Sequence, residues 1–181
     1  MMDLMEAIKE RRSIRRYEEK SVPEELINKV LEAIRWTPSW ANTQCWEVVV
    51  VKDNVLKKKL QETFAKGNPA IKAIVEAPVL LALCGKLESS GYYKGEAPTK
   101  FGDWLMFDLG LVTQSICLAA FSLGLGTLIT GLFDHDKAKE IIKVPEGYEL
   151  VTIIPMGYPA KKPSCAPKRK EISEFVHDDT F

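Results

Sequence analysis

Histidine and closely spaced cysteine are what this sequence most clearly lacks. It has 2 histidines and 4 cysteines in 181 residues, and no two cysteines form a C-x-x-C pair. Neither histidine stands at zinc-ligand spacing from a cysteine, so the sequence predicts no metal site. Cys84 and Cys117 lie in apolar runs, which predicts buried thiols and favours a reducing cytoplasm.

An excess of charge of either sign is also missing. The 25 lysines and arginines balance the 25 aspartates and glutamates, so the composition favours neither a nucleic-acid partner nor an anionic membrane surface. Residues 1–6 lack the basic and apolar segments of a signal peptide. With 46% apolar residues, the sequence predicts one globular domain that spans residues 1–181.

An uninterrupted apolar run of membrane-spanning length is absent. The nearest approach is the segment from Trp104 to Ile129, which Asp108, Gln114 and three glycines interrupt. A charge at such a depth in lipid is costly. The segment therefore predicts a long buried helix in the protein core and no membrane span.

Nucleotide-binding loops are missing as well. There is no Walker pattern, and the stretch from Gly124 to Gly131 reads G-x-G-x-x-x-x-G instead of the dinucleotide fingerprint. It also leads from a predicted helix into a strand, whereas the fingerprint needs the strand first so that the helix N-terminus faces the pyrophosphate. We expect these glycines to let the backbone turn tightly and approach a ligand closely.

Hydrophobic periodicity predicts short helices interspersed with short strands. The predicted helices are residues 3–12, a helix from the capping box at residues 21–24 to just before Pro38, one bearing Leu56, Leu60 and Phe64, and residues 103–123 and 134–143. The predicted strands are residues 46–51, 78–84 and 148–156. Residues 85–102 have no periodicity and predict a mobile covering loop.

The C-terminal tail begins at Gly157 and is rich in proline and lysine. It ends in a short apolar patch at Ile172, Phe175 and Val176. Such a patch after a proline-rich arm needs a surface to cover, and a second subunit would supply one. A frayed terminus is the alternative.

What the sequence does have is a cluster of cations near its start. Residues 11–16 read Arg-Arg-Ser-Ile-Arg-Arg, and guanidinium groups beside a hydroxyl can hold a phosphate by charge-assisted, bidentate hydrogen bonds. The alternative is an ordinary solvated basic surface near a terminus. A second basic group, residues 168–170, could meet the same anion from the other end of the chain.

A polar loop between a predicted helix and a predicted strand follows. Residues 38–46 read Pro-Ser-Trp-Ala-Asn-Thr-Gln-Cys-Trp, and the amide side chains in such a loop can read the edge of a heterocycle. Together with the arginines, the loop predicts a phosphorylated, planar cofactor.

Six motifs stand in a distinctive order along the chain. They are Arg-x-Ser-x-Arg near the N-terminus, Pro-Ser-x-x-Asn-x-Gln-x-Trp about 25 residues later, an Ala-Pro entry to the second strand, Gly-Leu-Gly-Thr, Pro-Glu-Gly-Tyr and a late Gly-Tyr-Pro. This order resembles the nitroreductase family of FMN-dependent oxidoreductases. The resemblance covers essentially the whole chain, and the ordered set is more specific than any one motif.

The resemblance implies an α+β fold with a central mixed, mostly antiparallel sheet, flanking helices and a long buried central helix. It implies a homodimer with exchanged C-terminal arms and two FMN sites at the subunit interface, each built by both chains. The cofactor-binding residues that it implies are Arg11, Arg12, Ser13 and Arg15 at the phosphate and flavin edge, Pro38, Ser39, Trp40, Asn42 and Gln44 from the second subunit, Leu128, Ile129, Thr130 and Gly131 at the ring, and Lys168 and Arg169 closing on the phosphate.

Two departures from the family pattern bear on this site. Cys45 replaces the proline usual between the glutamine and the tryptophan, which predicts a less rigid loop and a thiol close to the flavin. Thr130 stands where some relatives have a glutamate, so no carboxylate is expected at the ring nitrogens. Whether Asn68 or Lys72 contacts the flavin stays open at this point.

The resemblance implies chemistry carried by the cofactor and not by a protein nucleophile. NADH or NADPH passes a hydride to flavin N5, and a small planar acceptor, a nitroaromatic or a quinone, then takes the same place in a ping-pong reaction. Arg15 supplies positive charge near the ring edge. No catalytic residue is assigned, and His135 and His177 are expected at the surface.

Three other functions remain as alternatives. A specialised relative would perform flavin fragmentation, reductive dehalogenation or azoline oxidation, and the sequence shows no partner domain for the last of these. A flavin carrier or sensor would bind FMN without turnover. A nucleic-acid binder is disfavoured because the net charge is zero and the basic runs carry no interleaved aromatic residues.

Overall fold

A four-stranded sheet forms the centre of the fold. The computed structural model describes residues 3–161 and 165–181, so residues 1–2 and residues 162–164 of the tail lie outside the described residues. The strands are β1 (Trp46–Val51), β2 (Val79–Lys86), β3 (Gly126–Thr127) and β4 (Tyr148–Gly157), in the spatial order β1-β2-β4-β3. All pairings between these strands are antiparallel, and a bridge between Ser13 and Thr127 adds a parallel contact.

Helices cover both faces of this sheet. They are α1 (Leu4–Glu10), α2 (Glu24–Arg35), α3 (Asn54–Gln61), α4 (Ile71–Glu76), α5 (Leu105–Ser122) and α6 (His135–Ile142), with 3-10 turns at Trp40–Asn42 and Ile172–Glu174. The predicted α+β fold with a mixed, mostly antiparallel sheet is confirmed.

Alternation along β2 divides the core between the two faces of the sheet. Leu80 and Ala82 belong to the apolar cluster that contains residues of α3, α4 and α6. Leu81 and Leu83 belong to the cluster that contains residues of α2 and α5. Because both faces are covered, the strand is apolar at successive positions. Burial of each leucine side chain stabilises the folded state by roughly 1.5–3 kcal/mol relative to leaving it exposed.

The long helix α5 is part of this core. By length and composition alone it could cross a membrane, yet Leu109, Val112 and Ile116 are at most 1% exposed and pack in the cluster shared with α2. The prediction of a long buried central helix is confirmed.

Two predicted helix boundaries are wrong. The N-cap of α2 is Pro23, with no side-chain hydrogen bond, so the capping box starting at Ser21 does not form; the fixed φ of proline sets the entry to the helix instead. Helix α1 ends at Glu10 and not at residue 12, because Arg11 is already extended with ψ 132°.

Residues 87–104 are held more firmly than the predicted covering loop. Ser90 is fully buried, and its carbonyl oxygen accepts a hydrogen bond from the Trp104 N–H at 3.0 Å. A Cβ at Gly91 would lie 2.6 Å from the Trp104 side chain. Around Ser90 the segment is therefore part of the packed fold, and the mobility of the loop stays a prediction.

The C-terminal tail lies open to solvent. All residues from 165 to 181 are exposed, including Ile172, Phe175 and Val176, whose side chains are 50–71% exposed. Within one chain, the apolar patch of the described tail covers nothing.

Candidate functional site

The arginine segment lies along the edge of strand β3. The N–H of Ile14 donates to the Thr127 carbonyl at 2.9 Å. A Cβ at Gly126 would lie 2.4 Å from the Ile14 side chain, so only glycine permits this close approach. The Tyr17 hydroxyl lies 2.9 Å from the Ile14 carbonyl and 3.0 Å from that of Pro155, and burial raises the pKa of Tyr17 above its usual range.

The four arginines of this segment do different things. Arg16 forms an ion pair with Glu76 at 2.6 Å. Arg12 folds back and donates to the Arg11 carbonyl at 2.9 Å. Arg11, Arg12 and Arg15 have no ion-pair partner among the described residues.

Two adjoining cavities share lining residues, and Arg15 lines the first of them. The first, of about 480 Å³, is lined by Arg15, residues 65–70 and residues 128–132. The second, of about 380 Å³, lies between residues 129–131, the face of α5 that carries Met106, Leu109, Gly110, Thr113 and Gln114, and Val151 and Thr152 of β4. Both share Ile129, Thr130 and Gly131, so the ring-binding residues predicted from the sequence form one continuous floor.

Strand β4 fixes the backbone of this floor. The Leu128 N–H donates to the Pro155 carbonyl at 3.2 Å, and the Leu128 side chain is buried in the core. The Thr130 hydroxyl donates to the Ile153 carbonyl at 2.6 Å, and the Thr130 carbonyl accepts from the Thr152 hydroxyl at 2.7 Å. The Thr130 side chain therefore stabilises the floor from beneath and offers no hydroxyl to a ligand.

The cavity side of the floor is open backbone. In the described parts of the chain, the N–H groups of Ile129 and Gly131 donate to no acceptor, whereas Thr130 is bridged to Ile153 of β4. A Cβ at Gly131 would meet nothing within 4 Å, so this glycine leaves room in the cavity. Free backbone N–H groups are suited to the acceptor atoms along the edge of a heterocycle.

Two side chains that the sequence did not assign hold the far end of the floor. Asn68 donates to the Leu132 carbonyl at 3.0 Å and lines the first cavity, which Lys72 does not. His135 is half-buried, with Nε2 2.9 Å from the Gly131 carbonyl and Nδ1 2.8 Å from that of Leu150. His135 is only partly exposed, and the sequence did not indicate its contacts with two backbone carbonyls.

The loop at residues 38–44 lies elsewhere, against the start of α5. The Trp40 N–H donates to Asp108 at 3.1 Å, and the Gln44 N–H donates to the Ser39 hydroxyl at 2.9 Å. Pro38 and Asn42 are exposed. None of these residues lines either cavity, so one chain does not join the loop to Arg15.

Asp108 holds this loop through a buried carboxylate. It is 1% exposed and accepts from the Ser90 hydroxyl at 2.6 Å and from the Cys45 thiol at 3.7 Å. Burial, followed by the nearby Asp108 charge, raises the pKa of Cys45 to about 12. Cys45 is thus a buried, protonated thiol directed at Asp108, and it does not reach the cavities of its own chain.

The basic residues of the tail stand apart from both cavities. Lys168 and Arg169 are exposed and line neither cavity of their own chain. The predicted site residues thus form three groups. The first is the floor with Arg15, the second is the loop at residues 38–44, and the third is the basic tail; Arg11 and Ser13 line neither cavity.

Comparison with known proteins agrees with the fold and the motifs. Residues 8–158 match the sequence model of the nitroreductase family. A protein of Methanothermobacter thermautotrophicus assigned as NADH dehydrogenase/NAD(P)H nitroreductase is 37% identical over 168 residues, which cover 90% of this chain and 80% of the relative. The FMN reductase (NAD(P)H) of Bacillus subtilis is 29% identical over 100% of this chain and 75% of its own.

A solved structure gives the same result. The crystal structure of a nitroreductase family protein from Clostridium difficile 630 superposes with a TM-score of 0.83 over 100% of both chains, at 27% identity. The match over residues 8–158 spans most of the chain, and the chain belongs to the nitroreductase family.

Proposed function

We propose that this protein binds FMN and transfers two electrons from NADH or NADPH to a small planar acceptor such as a nitroaromatic or a quinone. The observation that carries the proposal is the pair of adjoining cavities that share the floor at residues 129–131, with Arg15 at one of them. A cation and free backbone N–H groups, here those of Ile129 and Gly131, suit a phosphorylated heterocycle.

The residues present fit FMN. Arg11, Ser13 and Arg15 would hold the phosphate and the adjacent edge of the flavin, while the N–H groups of the floor would meet the ring. The open space above Gly131 admits a flat group without a steric clash. When bound, FMN supplies the two-electron hydride chemistry.

The protein contributes charge and positioning. A guanidinium near the edge of the flavin ring would stabilise negative charge on that edge. This electrostatic stabilisation is larger in a cavity than in water. The floor is held by hydrogen bonds to β4 and so keeps its position while donor and acceptor exchange. We propose that NAD(P)H and the acceptor use the same cavity in turn, which gives ping-pong kinetics and needs no protein nucleophile.

We further propose that the complete site is built by two chains. The exposed patch at Ile172, Phe175 and Val176 and the exposed Met106 and Phe107 of α5 are apolar surfaces that a second copy would cover. The loop at residues 38–44 and the basic pair Lys168 and Arg169, neither of which reaches the cavities of its own chain, would then serve the partner's FMN.

The four cysteines are free thiols, three of them buried, which supports a reducing compartment such as the cytoplasm. Nothing in the balance of charge favours a nucleic acid as partner. The proposed partners are a second copy of the chain, the nicotinamide donor and the acceptor.

Absorbance spectroscopy tests the proposal directly. The purified protein is expected to be yellow or to become yellow with added FMN, and NADH or NADPH is expected to bleach it in the absence of oxygen. A protein that stays colourless with added FMN would refute the assignment. FMN binding without bleaching by either nucleotide would instead indicate a flavin carrier or sensor.

A panel of acceptors then identifies the reaction. Enzyme reduced by each nucleotide is mixed anaerobically with nitroaromatics, quinones and halogenated aromatics. Fast reoxidation by the first two classes supports the proposal. Reoxidation only by halogenated compounds would favour a reductive dehalogenase, and loss of the flavin itself would favour flavin fragmentation.

A further inference from the structure

The loop at residues 38–44 has a backbone conformation that its residues disfavour. Ala41, Asn42 and Gln44 have φ angles of 46°, 57° and 48°, in the left-handed region that few residues other than glycine and asparagine adopt. The side chains of all three are exposed, so their own burial does not stabilise this conformation. Such a backbone persists only where surrounding contacts impose it, and it is concentrated at functional sites.

Contacts with α5 fix the loop at both of its ends. At the start, Thr37 is buried and its hydroxyl donates to the Ser115 hydroxyl at 2.8 Å. At the end, the Cys45 thiol donates to Asp108 at 3.7 Å, and the Cys45 carbonyl accepts from the Lys86 N–H at 2.7 Å. Asp108 and Ser115 lie about two turns apart on α5 and therefore on one face of the helix.

The contact in the middle of the loop is made by the carboxylate of Asp108. The Trp40 N–H, directly before the first left-handed residue, lies 3.1 and 3.2 Å from its two oxygens. The Ser90 hydroxyl donates at 2.6 Å to the oxygen that also faces Cys45. Hydrogen bonds to a carboxylate are stronger than those between neutral groups, and Asp108 is 1% exposed, so water does not compete for its oxygens.

We propose that Asp108 is a positioning residue of the flavin site: it keeps the loop in the conformation in which Asn42 and Gln44 meet FMN. This inference rests on the proposed function, in which the loop serves the FMN of a second copy. Asp108 lines neither cavity of its own chain, so its effect on FMN passes through the loop. A loop that is fixed before binding loses less conformational freedom on binding, and the affinity is higher.

Two substitutions of Asp108 remove this support to different degrees. Asp108→Ala removes both oxygens, so the Trp40 N–H loses its acceptor and the backbone at Ala41 is free to leave the left-handed region. Asp108→Asn keeps one oxygen for the Trp40 N–H but loses the charge. The affinity for FMN should therefore fall in the order wild type, Asp108→Asn, Asp108→Ala.

Fluorescence titration of the full-length apoproteins with FMN tests this order. We expect the dissociation constant of Asp108→Ala to rise about tenfold, the size of one charge-assisted hydrogen bond, and that of Asp108→Asn to lie in between. Asp103→Ala is the matched control. Asp103 accepts from the N–H groups of Leu105 and Glu88 at 2.7 and 3.0 Å and from none in the loop, so its loss should lower stability to urea while FMN binding changes less than about threefold.

A double-mutant cycle separates positioning of the loop from a general loss of structure. Asn42→Gly removes the exposed amide and introduces a residue that adopts a positive φ without strain. Because Asp108 acts through the loop, Asp108→Ala should weaken FMN binding by a smaller factor in the Asn42→Gly background than in the wild type. If Asp108→Ala does not fold, Asp108→Asn takes its place in the cycle.

Other results have distinct meanings. Wild-type affinity in the Asp108 variants, or the same factor in both backgrounds of the cycle, would overturn the role of Asp108 and leave the proposed function intact. An equal loss of affinity in Asp103→Ala would overturn it as well, since any destabilisation near the start of α5 would then have the same effect. Failure of the wild type to bind FMN would overturn the proposed function and this inference with it.

Discussion

At the scale of single residues, neighbours in the sequence have separate roles in the structure. Arg15 lines the first cavity, whereas Arg16, the next residue, pairs with Glu76. Ile14 and Tyr17 are buried on either side of them and fix the direction in which each guanidinium leaves the backbone. Of these two neighbours, only Arg15 is placed to act at the proposed site.

Arg15 and Arg16 form a matched pair for testing this view. Arg15→Gln is expected to weaken FMN binding about 10- to 100-fold, because a charge-assisted hydrogen bond is lost. Arg16→Gln removes the same charge from the next position and should change binding less than about threefold. Fluorescence titration of the apoproteins gives both constants, and equal losses would show that only the overall charge matters.

At the scale of elements, a buried carboxylate joins three parts of the chain. Asp108 of α5 accepts hydrogen bonds from Trp40 in the loop before β1, from Ser90 after β2, and from Cys45. Three donors satisfy a charge that would otherwise be costly to bury. The proposed cofactor loop is thereby fixed to the central helix and not left free at the surface.

This packing makes the folded state sensitive to alkali. The pKa of Cys45 is about 12 in the folded chain against an ordinary value of 9.0. A pKa raised by folding contributes stability that is full below the unfolded value and is lost as pH rises through the folded value. We therefore expect the free energy of unfolding to fall between pH 9 and pH 12.

Urea unfolding at a series of pH values checks this expectation. Cys45→Ala should lower the free energy of unfolding near neutral pH. Above pH 9, however, the free energy of unfolding should fall less steeply in this variant than in the wild type, because one proton-linked group is gone. Cys165→Ala, at the exposed cysteine, should follow the wild-type curve. A decline in Cys45→Ala as steep as in the wild type would assign the alkaline sensitivity to other groups, such as Cys84 and Tyr17, whose pKa values burial also raises.

At the scale of the whole molecule, one chain presents a floor without its cover. The floor and Arg15 lie on one surface, while the loop at residues 38–44 and the basic tail lie outside both cavities. The exposed apolar patch of the tail gives a physical reason for a second copy to bind. We therefore propose that the site is complete only when two copies of the chain associate.

Mixed dimers test the two-chain site. We expect Arg15→Ala and Arg169→Ala each to weaken FMN binding as homodimers. In a heterodimer of the two variants, one site would carry both substitutions and the other would be intact, so half of the sites should bind FMN with wild-type affinity. Differently tagged chains, purified as the heterodimer and titrated with FMN, give this fraction. Weak binding at all sites would mean that Arg15 and Arg169 of one chain contact the same FMN, or that they do not contact FMN at all.

Local patterns in the sequence were enough to predict most of the elements. Strand β1 has the predicted bounds, and β4 extends one residue beyond them. The predictions succeeded because runs of valine and isoleucine flanked by turn residues favour buried strands whatever surrounds them. Helix α4, of six residues after the break at residues 67–69, was missed because so short a segment shows no periodicity. The motif order predicted the family, because such motifs record contacts to a shared ligand.

Only the tertiary structure decided how these residues act together. The sequence indicated no contact partner for His135 or for Cys45, whereas packing directs His135 to the Gly131 carbonyl and Cys45 to Asp108. The direction of a side chain depends on residues distant in sequence, such as Leu150 and Asp108, and no local pattern encodes those pairings. The sequence by itself determined which elements and which chemistry are present; the packing of those elements determined which atoms meet.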